Sequence, residues 1–221
     1  MSVSVLIPAF NEEKEIKSTI ETVSNLAEVE EVIVIDDGSE DNTYHQALET
    51  EAKVIQSPVN QGKGAALNRG LKVAQEDIVL LLDADLGKSA LEAKKLLTPL
   101  LAGEVDMTVA KFITQGQKGG FGLVKRLAAW SLKIITGRSF TAPLSGQRAL
   151  TKEVIGEINE FAPGFGVEVG LTIAASQAGF KIKEVPVNMK HRFTGRDLKG
   201  FWHRGRQFKD IVIILASQLR T

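Results

Sequence analysis

Two aspartates, Asp83 and Asp85, follow an apolar run in the middle of the chain and are separated by one alanine. The run at residues 78–82 contains only Ile, Val and Leu, which is typical of a strand buried on both faces of a parallel sheet. In an open α/β sheet, ligands bind at the carboxyl ends of the strands. Neighbouring carboxylates repel each other unless a cation lies between them, and Mg²⁺ binds one or two carboxylates together with phosphate oxygens. This DXD spacing therefore predicts a metal–phosphate site, with a polar turn that caps the next helix as the alternative.

The elements that would position this pair alternate along the first half of the chain. Apolar runs predict strands at residues 3–7, 31–35, 53–56, 78–82 and 106–112. Amphipathic stretches predict helices at residues 11–27, 42–50, 61–74 and 89–101, the first of them with Asn11 as its N-cap. Strands that alternate with helices form βαβ units, so we expect an α/β fold with a doubly wound, mostly parallel sheet. Because Pro8 ends the first strand and no Gly-x-Gly-x-x-Gly follows it, the dinucleotide-binding version is excluded.

The alternation ends after residue 112. A glycine-rich segment lies at residues 115–122, and a loop is predicted at 142–148. Further helices are predicted at 123–136, 152–158, 167–178 and 198–219, with one strand at 181–187. We expect a single domain, residues 1–221, with a nucleotide-binding half at 1–112 and an acceptor-binding half with a C-terminal helix at 113–221.

Composition narrows the class of protein. The 221 residues include 27 Lys plus Arg and 27 Asp plus Glu, so no overall field favours nucleic acid as a partner. The chain has no cysteine, which excludes disulfides and thiolate metal sites. The first residues lack the basic stretch of a signal peptide, and no apolar run approaches the about 20 residues that a spanning helix needs. We expect a cytoplasmic protein.

Four predicted strand ends carry polar motifs, and together they resemble a known family. The motifs are "VLIPAFNEE" from Val5, "VIDDGSEDNT" from Val34, "NQGKGAALNRG" from Asn60 and "LLLDADL" from Leu80. Over residues 3–112 the chain resembles the family 2-like nucleotide-sugar glycosyltransferases, which have the GT-A fold.

The second half is similar to the glucosyl-3-phosphoglycerate synthase family. The similarity rests on "PLSG" from Pro143, "FAPGFGVEVGL" from Phe161 and the pair His191-Arg192. It implies a retaining enzyme that transfers a hexose, glucose, from a UDP-type donor to a small phosphorylated acceptor such as 3-phosphoglycerate. The chain departs from that family at Leu123, where an acceptor-binding arginine would align, and at Phe193, where the family has asparagine.

The resemblance also implies roles for residues of the donor site. The backbone of Pro8 and Ala9 and the Glu12 carboxylate would hold the ribose, while Asp36 would accept a hydrogen bond from N3–H of uracil. Lys63, in a glycine loop at a helix N-terminus, is placed for the diphosphate. The predicted donor site consists of Pro8, Ala9, Asn11, Glu12, Asp36, Ser39, Lys63, Asp83, Ala84, Ser145, Gly146 and Arg192.

The predicted catalytic residues are Asp85 and Glu168. Mg²⁺ or Mn²⁺ would be bound by Asp85 and by a neutral imidazole nitrogen of His191, and would stabilise the charge that develops on the leaving diphosphate. Glu168 would orient the sugar or the acceptor, and its alternative role is that of a helix N-terminal acid favoured by the macrodipole. Ser145 and Gly146 would shape the acceptor pocket.

The sequence of the tail is compatible with several kinds of surface. Cations crowd residues 191–209, and this cluster could bind diphosphate, an anionic acceptor or membrane headgroups, or be a solvated helix face. The apolar residues among and after them could form a core or homodimer surface, or lie on a membrane. The membrane alternative corresponds to a polyprenyl-phosphate glycosyltransferase. A non-catalytic nucleotide-sugar-binding module is a further alternative, which the DXD pair and His191 argue against. A nucleotidyltransferase would carry its glycine loop directly after the first strand, where Pro8 stands.

Overall fold

A computed structural model describes residues 1–113, 123–158, 160–161 and 166–190. The strands of its mixed sheet are β1 (Val3–Ala9), β2 (Val29–Asp36), β3 (Lys53–Gln56), β4 (Ile78–Leu81), β5 (Met107–Phe112), β6 (Arg148–Thr151) and β7 (Ile182–Val187). The helices are α1 (Ile16–Ser24), α2 (Thr43–Leu48), α3 (Lys63–Leu71), α4 (Lys94–Leu101), α5 (Leu123–Thr136), α6 (Lys152–Ile158) and α7 (Val167–Gln177), with a 3-10 helix at Gly87–Ala93.

The sheet has the order β3-β2-β1-β4-β6-β5-β7. Strands β1 to β4 pair in parallel, as do β5 and β7, whereas β6 runs antiparallel between β4 and β5. One apolar core lies under α1 and α4, and a second contains residues of α3, α5, α6 and α7. Helices therefore cover both faces, and the predicted doubly wound, mostly parallel α/β fold is confirmed.

Strand β6 corrects the prediction of a loop that leads directly into a helix. Arg148, Ala149 and Leu150 are buried in the sheet, and Thr151 ends the strand. Four residues that begin with an arginine do not form the apolar run or the alternation that predicts a strand. The strand forms because its backbone pairs with neighbours on both sides, β4 and β5, which are distant in sequence.

The prediction that Pro8 ends the first strand is also wrong, because β1 continues to Ala9. Leu6 O accepts a hydrogen bond from Leu82 N, so Leu6 faces β4, and Pro8, two residues later, faces the same side. The pairing of β1 with β4 ends at Leu6. The missing N–H of Pro8 therefore costs no bond in this ladder.

Asn11 is not the N-cap that the sequence predicts. Its φ is 56°, and its side-chain oxygen accepts from Glu40 N in the loop after β2. Helix α1 begins at Ile16 after Glu15 and ends at Ser24, so it is shorter than predicted at both ends. The loop after β1 instead joins the loop after β2, which keeps both at the ligand edge.

The fold brings distant segments to one edge of the sheet. Parallel pairing places the carboxyl ends of β1, β2, β3 and β4 at this edge. Because β6 is antiparallel, the loop that precedes it arrives at the same edge. Among the described residues, no helix is long and apolar enough to cross a membrane. The predictions for the glycine-rich segment and for the tail helix lie outside the described residues.

Candidate active site

The side chain of Lys63 joins both halves of the chain at the ligand edge. Its Nζ lies 2.7 Å from Asp83 Oδ1 and 3.3 Å from Glu168 Oε1. Lys63 begins α3, Asp83 follows β4, and Glu168 stands in the first turn of α7. The structure thus brings together three residues that the sequence predicted for one site.

The carboxylates of this cluster stabilise the charged form of Lys63. Burial disfavours the ammonium, but the carboxylates of Asp83 and Glu168 outweigh that effect, so the pKa of Lys63 is raised above its ordinary value. The ammonium therefore stays protonated throughout the neutral range. It separates two carboxylates that would otherwise repel each other.

The loop before β6 closes around this cluster. Gln147 Nε2 donates to Asp83 Oδ2, and Ser145 Oγ donates to Gln147 Oε1 over 3.3 Å. A Cβ at position 146 would collide with the Lys63 ammonium and lie 3.2 and 3.3 Å from the two Asp83 oxygens. The backbone of Gly146 has no positive φ, so a side chain at this position would act by displacing the Lys63 ammonium.

Arg148 anchors the loop from behind. Its side chain is fully buried and donates to Ser145 O over 2.8 Å, to Pro143 O over 3.3 Å and to Thr172 Oγ1 over 2.7 Å. Burial lowers the pKa of Arg148 to about 10, with Glu168 and Glu184 opposing the shift. The guanidinium therefore connects the loop to α7, the helix that carries Glu168. Sequence reasoning missed Arg148 and Gln147, because their partners are distant in the chain.

The adjacent acids at the end of β2 have different surroundings. Asp36 is fully buried, its Oδ1 accepts from Ser39 N over 3.3 Å, and its Oδ2 has no hydrogen-bond partner among the described residues. Asp37 instead accepts from Gln61 N and Gly62 N over 3.0 and 2.6 Å, and from the Arg69 guanidinium. Asp37 thus holds the glycine loop before Lys63, whereas Asp36 keeps an unused acceptor, which is uncommon for a buried oxygen.

A pocket of about 440 Å³, a usual size for a small-molecule site, lies at the carboxyl ends of β2 and β3. Asp36 does not line it but pairs with Gln56, which does. The pocket is lined by Phe10, Gly38, Ser39, Glu40, Gln56, Ser57, Pro58, Val59 and Asn60. Ser57 Oγ is buried without a hydrogen-bond partner in the described part of the chain. Phe10 and Val59 are exposed apolar side chains, and their position in loops at the ligand edge was a signal that the sequence interpretation did not use.

The loop after β1 is tied to the next loop by its backbone. Ala9 O accepts from Asp37 N over 2.9 Å, Asn11 N donates to Ser39 Oγ over 3.0 Å, and Glu12 N donates to Thr43 Oγ1 over 2.7 Å. Pro8 and Ala9 end β1 directly beside Ile35 and Asp36. These contacts bring the predicted ribose-binding segment to the same side as the pocket.

The two aspartates of the DXD motif face the ligand edge. Burial alternates along this segment: Ala84 and Leu86 are buried in the core, while Asp83 and Asp85 are only half-buried. Among the described residues, no three His, Asp or Glu side chains form a metal cluster. The donor chemistry nevertheless fits Mg²⁺ or Mn²⁺, because these ions accept one or two carboxylates and complete their coordination with phosphate and water.

His191 and Arg192 lie outside the described residues, but the chain immediately before them is held near the DXD motif. Lys190 N donates to Ser89 Oγ over 2.9 Å, and Asn188 N donates to Glu92 Oε2 over 2.7 Å. Both partners belong to the 3-10 helix that follows Asp85. The position of His191 as a metal ligand stays a prediction.

Comparison with known proteins defines the class of this chain. The model of Glycosyl transferase family 2 matches residues 4–159, and the chain belongs to this family. A glucosyl-3-phosphoglycerate synthase from Mycobacterium tuberculosis is 37% identical over 195 residues, covering 78% of this chain and 60% of that protein. A dolichol-phosphate mannosyltransferase from Pyrococcus furiosus is 28% identical over 214 residues, covering 90% of this chain and 60% of that protein. The chain thus spans about 60% of the length of these relatives.

Solved structures show the same fold. The M. tuberculosis glucosyl-3-phosphoglycerate synthase bound to Mn²⁺, UDP and phosphoglyceric acid has a TM-score of 0.81 and 31% identity, covering 98% of this chain and 78% of that chain. Its complex with Mg²⁺ and UDP has a TM-score of 0.81 and 33% identity, covering 98% and 79%. The predicted GT-A fold and the predicted family resemblance are confirmed.

The contact of Gly146 with Lys63 predicts opposite effects for one substitution at two glycines. Gly146→Ala is expected to lower the free energy of unfolding by about 0.2–1 kcal/mol, because the new methyl group displaces the ammonium from its partly exposed ion pair with Asp83. Gly156→Ala, in α6 with open space around its Cβ, is expected to raise it by about 0.5–1 kcal/mol through helix propensity. Urea unfolding at neutral pH measures both, and an equal rise in the two variants would contradict the close approach at Gly146.

Proposed function

We propose that the chain is a metal-dependent glycosyltransferase that moves glucose from UDP-glucose to a small phosphorylated acceptor such as 3-phosphoglycerate. The observation that carries this proposal is the cluster of Lys63, Asp83 and Glu168, held beside Gly146 at the ligand edge. The ligands of the M. tuberculosis relative, UDP-glucose, Mn²⁺ and phosphoglyceric acid, support it. We also propose that the protein works in the cytoplasm.

The donor nucleotide would occupy the pocket beside Asp36. The buried Oδ2 of Asp36 needs a donor, and N3–H of uracil supplies one. The ribose would lie against Pro8 and Ala9 and bind the Glu12 carboxylate. A lysine ammonium has three donors, and the contacts with Asp83 and Glu168 use two of them, so one remains for a diphosphate oxygen.

Asp85 and His191 would hold the metal. When bound, Mg²⁺ or Mn²⁺ supplies positive charge that stabilises the diphosphate as the sugar leaves it. Asp83 is occupied by Lys63 and Gln147, so its role is to orient the ammonium and the sugar. Glu168, fixed by the ammonium on one side, would orient the sugar or the acceptor hydroxyl.

Transfer with retention needs no side-chain base in this arrangement. The bond between the anomeric carbon and the diphosphate oxygen breaks, and the acceptor hydroxyl forms the new bond on the same face. The proton of that hydroxyl moves to the departing diphosphate oxygen. Gly146 leaves room beside the Lys63 ammonium. Ser145 Oγ donates to the side chain of Gln147, the residue that bonds Asp83.

Transfer to a polyprenyl phosphate is the second candidate. The alignment with the P. furiosus dolichol-phosphate mannosyltransferase covers 90% of this chain, against 78% for the M. tuberculosis synthase. For a polyprenyl-phosphate acceptor, the tail after residue 190 would lie on a membrane. For a small phosphorylated acceptor, it would be a core or homodimer surface. A purely binding module would not need the charged cluster beside the DXD motif.

A panel of donors and acceptors tests the proposed function. Purified protein is incubated with UDP-glucose, UDP-galactose or GDP-mannose, with Mg²⁺ or Mn²⁺, and with 3-phosphoglycerate or a polyprenyl phosphate in detergent. We expect a glucosylated phosphoglycerate, with the α-anomer of the donor kept in the product and seen by NMR. Product only with the polyprenyl phosphate selects the second candidate. No transfer in any combination contradicts an enzymatic function.

Two aspartates at opposite ends of β4 provide a matched test of the metal site. Asp85→Asn is expected to lower turnover by at least about 100-fold and to weaken Mn²⁺ binding, because the ion loses a charged ligand. Asp77→Asn, at the exposed amino end of the same strand, is expected to leave both unchanged. Undiminished activity of Asp85→Asn, or of the unaltered protein in EDTA, would refute the metal role.

The adjacent acids Asp36 and Asp37 predict the base preference. The protein is expected to favour uridine over cytidine diphosphate glucose by on the order of 10⁴, because N3 of cytosine carries no hydrogen and would leave the buried Asp36 carboxylate unpaired. Asp36→Leu is expected to reduce UDP affinity without loss of stability. Asp37→Leu is expected to lower the free energy of unfolding by about 1–3 kcal/mol, since Gln61 N, Gly62 N and the Arg69 guanidinium lose their shared acceptor. Calorimetric titration with UDP and urea unfolding measure these effects, and unchanged UDP affinity in Asp36→Leu would reject the base assignment.

A further inference from the structure

A buried hydroxyl group lies behind the turn that carries Asp85. The side chain of Thr19, on α1, is fully buried, and its Oγ1 accepts from Gly87 N over 2.8 Å. The same oxygen lies 2.9 Å from Ala84 O, to which it donates. One hydroxyl group thus bridges the two ends of the turn formed by residues 84–87.

The turn depends on contacts of this kind because it leaves the sheet. Leu82 N is bonded to Leu6 O, and the next regular element begins at Gly87, whose φ of 51° reverses the chain. Ala84 and Leu86 anchor the turn in the core by their side chains. Thr19 fixes the backbone at Ala84 O and Gly87 N, on either side of Asp85 and Leu86. The position of this backbone sets the direction of the Asp85 carboxylate.

A local role inside the helix does not account for these contacts. Thr22 and Thr98 show the usual arrangement, in which a threonine hydroxyl donates to the carbonyl four residues earlier, over 2.6 and 3.0 Å. Thr19 Oγ1 also lies 3.0 Å from Glu15 O, so its hydroxyl has the same carbonyl within reach, but unlike Thr22 and Thr98 it lies as close to Ala84 O and accepts from Gly87 N. The bonds of Thr19 to Gly87 and Ala84 join α1 to a turn far along the chain.

We propose that Thr19 is a positioning residue for the metal carboxylate Asp85. This inference rests on the proposed function, in which Asp85 binds Mg²⁺ or Mn²⁺ together with the donor diphosphate. Partners that hydrogen-bond directly to a metal ligand typically change metal affinity by 10–100-fold when they are replaced, and Thr19 acts through the backbone on either side of Asp85. Removal of the Thr19 hydroxyl frees Ala84 O and Gly87 N to rotate, so the carboxylate is no longer held in the direction that suits the ion.

The test compares Thr19→Val with Thr108→Val. Both remove a buried hydroxyl and keep the side-chain shape, but Thr108 Oγ1 donates to Leu96 O in α4, away from the turn. Mn²⁺ is titrated into the full chain in the presence of saturating UDP, and the melting temperature is measured without metal. Thr19→Val is expected to weaken Mn²⁺ binding by on the order of 10–100-fold, and to raise by a similar factor the Mn²⁺ concentration needed for half-maximal turnover. Thr108→Val is expected to lower the melting temperature without any change in Mn²⁺ affinity.

Two further variants keep the inference testable if Thr19→Val does not fold. Thr19→Ser and Thr19→Ala both remove the methyl group, and only serine keeps the hydroxyl. Serine is expected to restore Mn²⁺ affinity to within a few fold of the unaltered protein, and alanine is not. If Thr19→Val binds Mn²⁺ as tightly as the unaltered protein, the role of Thr19 is overturned and the metal assignment is not. The same holds if the serine and alanine variants both bind Mn²⁺ as tightly as the unaltered protein. An unaltered protein that binds no Mn²⁺ with UDP would overturn the metal assignment and this inference together.

Discussion

The attraction of one ammonium for two carboxylates is the interaction on which the rest of the site depends. Lys63 lies between Asp83 and Glu168, which belong to different halves of the chain. Without a cation these acids would repel each other, and the first turn of α7 would lose its contact with the end of β4. A partly exposed ion pair adds little to stability, so its importance is geometric: it fixes the first turn of α7 against the end of β4 at the ligand edge.

The backbone around this cluster is built to keep it in place. The antiparallel strand β6 inserts between β4 and β5 and delivers the loop with Gly146 and Gln147 to the ligand edge. Arg148, which begins β6, is fully buried and ties this loop to α7. Asn68 makes a second connection between the halves, since its side chain bonds both the N–H and the carbonyl of Phe161. The two halves therefore form one site.

The two aspartates of each neighbouring pair, Asp36 with Asp37 and Asp83 with Asp85, have different contacts. Asp37 holds the glycine loop, while Asp36 keeps a buried acceptor beside the pocket. Asp83 is engaged by Lys63 and Gln147, and Asp85 belongs to a turn braced by Thr19. Under the proposed function, one carboxylate of each pair organises the protein and the other binds a ligand.

The sequence by itself determined the family, the alternation of strands and helices that predicts a mostly parallel sheet, the DXD motif and the prediction that Lys63 and Glu168 share a site. These features depend on local composition, and the carboxyl ends of parallel strands necessarily meet at one edge. Only the tertiary structure decided that β1 runs through Pro8, that residues 148–151 form a strand, and that Asn11 joins the next loop instead of capping a helix. The roles of Gln147, Arg148 and Thr19 were also decided there. Each depends on a partner distant in the chain, which no local pattern identifies.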